Sequence, residues 1–207
     1  MNCKRYLPPS QIEVFLSELP KEIKQEQLGV SVNGLPIHML KLGTGRCSVL
    51  MWSQMHGNET TTTKALLDLI PWLVHQNQKA LLEHFTFYII PQLNPDGAKA
   101  YTRLNANQVD LNRDAIHLSQ PESKILRSLF ERTNPDYALN LHGQRTIYAA
   151  GPMGEAATLS FLAPSADLER SVTSAGAKAL GAIAAIHQAF TEALPKGIGR
   201  YDDHFNP

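Results

Sequence analysis

Two runs of nearly continuous apolar residues, 46–54 (RCSVLMWSQ) and 84–91 (HFTFYIIP), constrain this chain more than any other feature. A strand with one wet face alternates apolar and polar residues, whereas a strand covered on both faces has no need to. Both runs therefore predict inner strands of a sheet that is packed on each side. Between them, 60–74 (TTTTKALLDLIPWLV) has the pattern of a helix, with Pro71 expected to kink or end it. Upstream, 27–32 and 35–42 are expected strands joined at Asn33-Gly34, a strong short-hairpin signal. Downstream, 136–141 (DYALNL) reads as a short strand, with two more expected in 146–150 and 158–163. Residues 119–122 (SQPE) have the form of a capping box with Pro121 in the first helical position, opening a helix to about Arg132. An Ala-rich helix is expected over 170–193. The apolar spacing of Ile12, Phe15 and Leu16 suits a short amphipathic helix broken near Pro20, so that 1–26 forms a helical lead-in. The stretch 92–118 carries no regular pattern. Interleaved strands and helices place the chain in the α/β class.

At 207 residues the chain is expected to form a single domain over 1–207. Its 19 Lys and Arg balance 19 Asp and Glu, which removes the electrostatic footprint of a nucleic-acid or acidic-membrane binder. Two cysteines, Cys3 and Cys47, are too few for a disulfide framework and fit a reducing compartment. No run approaches the roughly 18 apolar residues of a membrane span. No apolar segment follows the cations of the first ten residues as a secretory signal requires. The expectation is a cytoplasmic protein without membrane or nucleic-acid partners.

His56 and Glu59 stand in HGNE, directly after the first apolar run. Loops beyond the carboxyl ends of strands in an open α/β sheet are where ligands bind. A three-residue spacing lets an imidazole and a carboxylate converge on one ion from a turn or a first helical turn. His142 follows the strand DYALNL as His56 follows its own, so both belong to the same rim. Two His and one Glu form a typical catalytic zinc set that leaves a fourth position for water.

Between these residues lie Asn94-Pro95-Asp96-Gly97, then 102–107 (TRLNAN), then 109–114 (VDLNRD). HGNE (56–59), NPDG (94–97), TRLNAN-VDLNR (102–113) and NLH (140–142), in this order, resemble the zinc metallocarboxypeptidases of the M14, carboxypeptidase A-like family. The resemblance implies a three-layer mixed sheet with helices on both faces and one zinc ion held by His56, Glu59 and His142. It also implies that Asn112 and Arg113 grip the terminal carboxylate of a peptide, a task suited to a planar guanidinium. Arg103 would polarise the scissile carbonyl and stabilise the oxyanion.

Several positions depart from the family pattern. Its general base is a Glu on a late strand, after a mobile loop with a substrate-side Tyr. Of the glutamates that follow His142, Glu155 is expected in a loop, Glu169 at a helix entrance and Glu192 at a helix end. The expectation is a base downstream of Pro207, with the fold incomplete at its C-terminal end. Tyr201 is the candidate for the Tyr role. Gln108 stands where the family commonly has Gly, and Asp114 where it has Asn, so that Asp114 could orient Arg113 or disfavour acidic substrates. Two other readings compete with the carboxypeptidase. One is a succinylglutamate desuccinylase/aspartoacylase-type deacylase, acting on a small acylated amino acid. The other is a zinc-binding domain without catalysis.

Overall fold

The two apolar runs lie side by side. In the computed structural model, which describes residues 6–75, 78–143, 149–150, 155–156, 159–161, 171–192 and 198–200, they form parallel neighbours in a five-stranded sheet. Its strands are β1 (Lys24–Val30), β2 (Pro36–Leu42), β3 (Cys47–Ser53), β4 (Phe85–Ile90) and β5 (Tyr137–Leu141). Their order across the sheet is β1-β2-β4-β3-β5. β1 and β2 are the expected antiparallel hairpin, with Gly34 at φ +79° in its turn. β2 joins β4 antiparallel, and β3 pairs parallel with both β4 and β5, so the sheet is mixed.

Alternate residues of the inner strands feed two separate cores. Leu40 and Leu42 of β2, with Val49 and Met51 of β3, pack with helices α1 (Pro9–Ser17) and α2 (Thr60–His75) through Ile12, Phe15, Leu16, Leu66, Ile70 and Leu73. Ile37 and Met39 of β2 and Leu50 of β3 turn the other way, toward Leu111 and Leu129. Leu129 belongs to α6 (Pro121–Thr133), and Ile125 and Leu126 of that helix pack on the same core. These are the three layers that the resemblance implies.

Local expectations change where tertiary contacts outbid them. Pro71 sits inside α2, which continues to His75 because buried Ile70 and Leu73 anchor both sides of it. A short helix α3 (Lys79–His84) precedes β4. The stretch 92–118 contains two helices, α4 (Pro95–Ala100) and α5 (Leu111–Asp114). NPDG is a helix start: the Asn94 side chain accepts a hydrogen bond from Gly97 N at 2.9 Å, with Pro95 in the first turn. The SQPE capping box does not form. Gln120 is the N-cap residue of α6, Ser119 Oγ donates to Asp114, and Glu122 accepts from Val32 N and Asn105 Nδ2.

The chain groups into two compact units, Met1–Gly143 and Gln144–Pro207. In the second, β6 (Ala149–Ala150) pairs antiparallel with β7 (Glu155–Ala156), and β8 (Leu159–Phe161) pairs parallel with β9 (Ile198–Arg200). Helix α7 (Ser174–Ala189) is capped by Thr173, which accepts from Gly176 N. Among the described residues, no helix is long and apolar enough to cross a membrane.

Candidate metal centre

β3 ends at Ser53, and the chain turns at Gln54 through a left-handed conformation, φ 53°. Gln54 is fully buried. Its Oε1 accepts from Thr63 Oγ1 and Gln92 Nε2, both at 2.9 Å, and its Nε2 donates to Gly57 O at 2.6 Å. That fixes the turn carrying HGNE. Gly57 has no room for a side chain, since a Cβ there would come within 2.0 Å of the Gly97 backbone. The glycines of HGNE and NPDG are thus pressed together, which is why the two motifs belong to one site.

His56 is almost wholly buried, and its Nδ1 lies 3.0 Å from Glu59 Oε1 and 3.2 Å from His142 Nδ1. His142 Nδ1 lies 3.0 Å from Glu59 Oε2. Gly143 N donates to the same oxygen at 2.9 Å. On the far side of its ring, His56 Nε2 lies 3.1 Å from Asp110 Oδ1. All the residues of this cluster lie within the first unit.

The donor set fits a cation. A carboxylate at Nε2 favours the proton on that nitrogen, which leaves Nδ1 of His56 with a lone pair. This lone pair points at a carboxylate oxygen and at a second imidazole nitrogen. Electron-pair donors brought this close need positive charge between them. Ligand atoms around one tetrahedral zinc stand about 3.3 Å apart, close to the separations seen here. Burial works against ionisation of Glu59, but hydrogen bonding to His142 and His56, electrostatic attraction to the His56 ring and the Gly143 amide outweigh it and hold its carboxyl well below the usual range. Asp110 is likewise lowered: burial opposes ionisation, and His56 and Arg103 prevail.

The other predicted residues ring this cluster. Arg103 donates from Nε to Asp110 Oδ2 at 3.0 Å, and its Nη1 lies 3.7 Å from Glu59 Oε1. Asn112 and Arg113 sit in α5, which Asp110 caps by accepting from Asn112 N. Asn112 Oδ1 accepts from Asn140 Nδ2 at 3.2 Å, tying α5 to β5, the strand that leads to His142. Arg113 is exposed. Asp114 is buried, and Ser119 N, Ser119 Oγ and Gln120 N all donate to its carboxylate. Glu155 lies in β7 and not in a loop, while Glu192 is exposed beyond the end of α7. Glu169 and Tyr201 lie outside the described residues.

Sequence reasoning assigns no role to Asp110, Gln54 or Asn140. Asp110 stands in the VDLNR motif, and its position before a short helix is the available signal. Gln54 and Asn140 act through spatial neighbours that no sequence spacing reveals.

The family model of zinc carboxypeptidases, Peptidase M14, matches residues 10–204. Carboxypeptidase SOL1 of Arabidopsis thaliana is 28% identical over 150 residues, which cover 62% of this chain and 30% of the relative. Carboxypeptidase 2 of Trichophyton tonsurans is 35% identical over 107 residues, 49% of this chain and 20% of the relative. The crystal structure of a metallo-carboxypeptidase from Burkholderia cenocepacia superposes with a TM-score of 0.73 at 22% identity, covering 97% of this chain and 55% of that one. The chain thus spans a third or less of these two sequence relatives and about half of the structural one.

Proposed function

The chain belongs to the M14 family of zinc carboxypeptidases, and from that premise we propose that it is a zinc-dependent enzyme that hydrolyses the C-terminal residue of a peptide. The observation that carries this reading is the convergence of His56 Nδ1, His142 Nδ1 and the Glu59 carboxylate, with Asp110 behind His56. His56, Glu59 and His142 would hold one ion. When bound, zinc supplies a Lewis acid for a carbonyl oxygen and lowers the pKa of a water ligand to roughly 7.

The chain's own residues supply the grip on the substrate and a cation for its carbonyl oxygen. Asn112 and Arg113 take the terminal carboxylate of the peptide, Arg113 through a two-pronged pair. Specificity for a free C-terminus is then local, because the chain has no net charge to attract anions from a distance. Arg103 places a cation beside Glu59, where negative charge develops on the scissile carbonyl oxygen. Its bond to Asp110 holds the guanidinium in that place before substrate arrives.

The test is release of the last residue from a peptide series with free C-termini. We expect turnover to need zinc, to vanish when the C-terminus is amidated, and to fall at least about 100-fold in Arg113→Ala, as the loss of a charged, hydrogen-bonded partner implies. Preference for N-acetyl- or N-succinyl-amino acids reassigns the protein as a deacylase. Stoichiometric zinc with hydrolysis of neither class fits a zinc-binding domain without catalysis, and equally a chain that lacks the general base.

A further inference from the structure

Asp110 meets both His56 and Arg103, so whatever fixes Asp110 fixes the metal centre from behind. It is delivered by residues 105–109, a loop with little regular structure of its own. The side chain that closes this loop is Asn105, which is 1% exposed. Its Oδ1 accepts from Asn107 N at 3.1 Å and Val109 N at 3.0 Å. Its backbone adds reciprocal support, since Asn105 N donates to Val109 O and Gln108 N donates to Asn105 O, each at 3.0 Å.

The other end of the same amide fastens the loop to the start of α6. Asn105 Nδ2 lies 2.9 Å from Gln120 Oε1 and 3.2 Å from Glu122 Oε2, donating to both. Gln120 Oε1 also accepts from Asn107 Nδ2 at 2.9 Å, and Gln120 Nε2 donates to Ser119 Oγ at 2.8 Å. All four hydrogen-bonding positions of the Asn105 amide are filled, by partners from two segments. A buried group so fully satisfied has one orientation, and it transmits that orientation to what it binds. The last residue of the loop that it binds is Val109, directly before Asp110.

We propose that Asn105 is a positioning residue of the metal centre: it closes the 105–109 loop and, through Gln120, fastens that loop to α6, which sets the Asp110 carboxylate against His56 and Arg103. The inference rests on the zinc reading above and adds to it a residue that touches neither ligand nor substrate. Outer partners of metal ligands typically govern affinity by 10–100-fold. A residue one step further out, acting through such a partner, is expected at the lower end of that range.

The experiment measures zinc affinity of the 207-residue protein by competition with a chromophoric chelator, with thermal unfolding of the metal-free protein recorded alongside. The variants are Asn105→Ala, Asp110→Ala and the double variant. Asn105→Ala is expected to weaken zinc about 10-fold in the wild-type background and less than twofold when Asp110 is already gone. Its loss of thermal stability should be the same in both backgrounds. That split separates positioning from a general structural role, which would move affinity equally in each. Gln120→Ala, which removes the shared acceptor and leaves Asn105 in place, is the second test. It should show the same dependence on Asp110, and it serves alone if Asn105→Ala does not fold. Unchanged affinity, or an equal loss in both backgrounds, overturns the proposal while leaving the metal reading intact. A wild-type protein that binds no zinc overturns both.

Discussion

Glu59 and Asp114 are both carboxylates drawn out of water, and both are held ionised, yet their surroundings have opposite meanings. Asp114 faces fixed donors, among them Ser119 N, Ser119 Oγ and Gln120 N. Each brings a hydrogen, so the anion is satisfied with nothing further bound. Glu59 has one such donor, Gly143 N, has the Arg103 guanidinium 3.7 Å away, and at hydrogen-bonding distance otherwise faces the Nδ1 atoms of His56 and His142. Those nitrogens are ligands when neutral and donors only when protonated. A carboxylate ringed by backbone amides is part of the scaffold, whereas one ringed by imidazoles is half of a metal site. Burial alone does not separate the two.

The sharpest way to break this comparison is to neutralise each carboxylate in turn. Glu59→Gln removes the anionic ligand while nearly preserving shape. Zinc affinity should fall at least about 100-fold, beyond what loss of an outer partner causes. The metal-free protein should lose some stability as well, because the contacts with His142, His56 and Gly143 that depress the Glu59 pKa favour its charged form in the fold. Calorimetric titration with zinc checks the first expectation and a thermal melt the second. A Glu59→Gln protein that binds zinc normally would mean that Glu59, like Asp114, belongs to the scaffold.

Asp114→Asn should do the reverse, with its main effect on folding. Burial opposes ionisation of Asp114, but the hydrogen bonds from Ser119 and Gln120 win and lower its pKa to about 2 from an ordinary 3.8. A carboxyl whose folded pKa is depressed gives stability that is complete above its unfolded value and is lost as pH falls through the folded one. The contribution, about 2 kcal/mol at neutral pH, should therefore shrink between about pH 4 and pH 2. Urea unfolding of wild type and Asp114→Asn across that window gives the difference directly. A gap that stays constant with pH would mean that the charge of Asp114 contributes nothing. The expected result also gives a structural reason for Asp at this position: it serves the α5–α6 junction.

The same contrast explains what is legible in the amino-acid sequence alone. Runs 46–54 and 84–91, the Asn33-Gly34 turn and the order of the motifs are local or nearly so, and the sheet follows from them. HGNE and NLH name the metal donors because each directly follows a strand of a parallel pair, and the pairing brings them to one rim. SQPE misleads because Ser119 and Glu122, which would cap a helix by themselves, are claimed by Asp114 and by Val32 and Asn105. Distant partners decide such residues, and the spacing along the chain carries no trace of them. Asp110 falls between these cases, conspicuous in its motif but mute about His56, which lies 54 positions away.

The smallest expected effect concerns the loop that lies between the two carboxylates. Gln108 has φ 59°, in the left-handed region, and its side chain is exposed. A residue with a Cβ is strained there by roughly 1–2 kcal/mol, and the Gly common at this position in the family escapes that strain. Glycine also gives the unfolded chain more freedom, which offsets about 0.5–1 kcal/mol of the gain. Gln108→Gly should therefore stabilise the protein by no more than about 1.5 kcal/mol, seen as a small rise in the urea midpoint at unchanged slope. Because Gln108 N donates to Asn105 O, a contact that glycine keeps, zinc affinity should stay within about twofold. A stability gain with unchanged affinity places the strain of Gln108 in the scaffold alone. A change in affinity without one would place that strain in the metal centre, and the border between the two regions would have to move past Gln108.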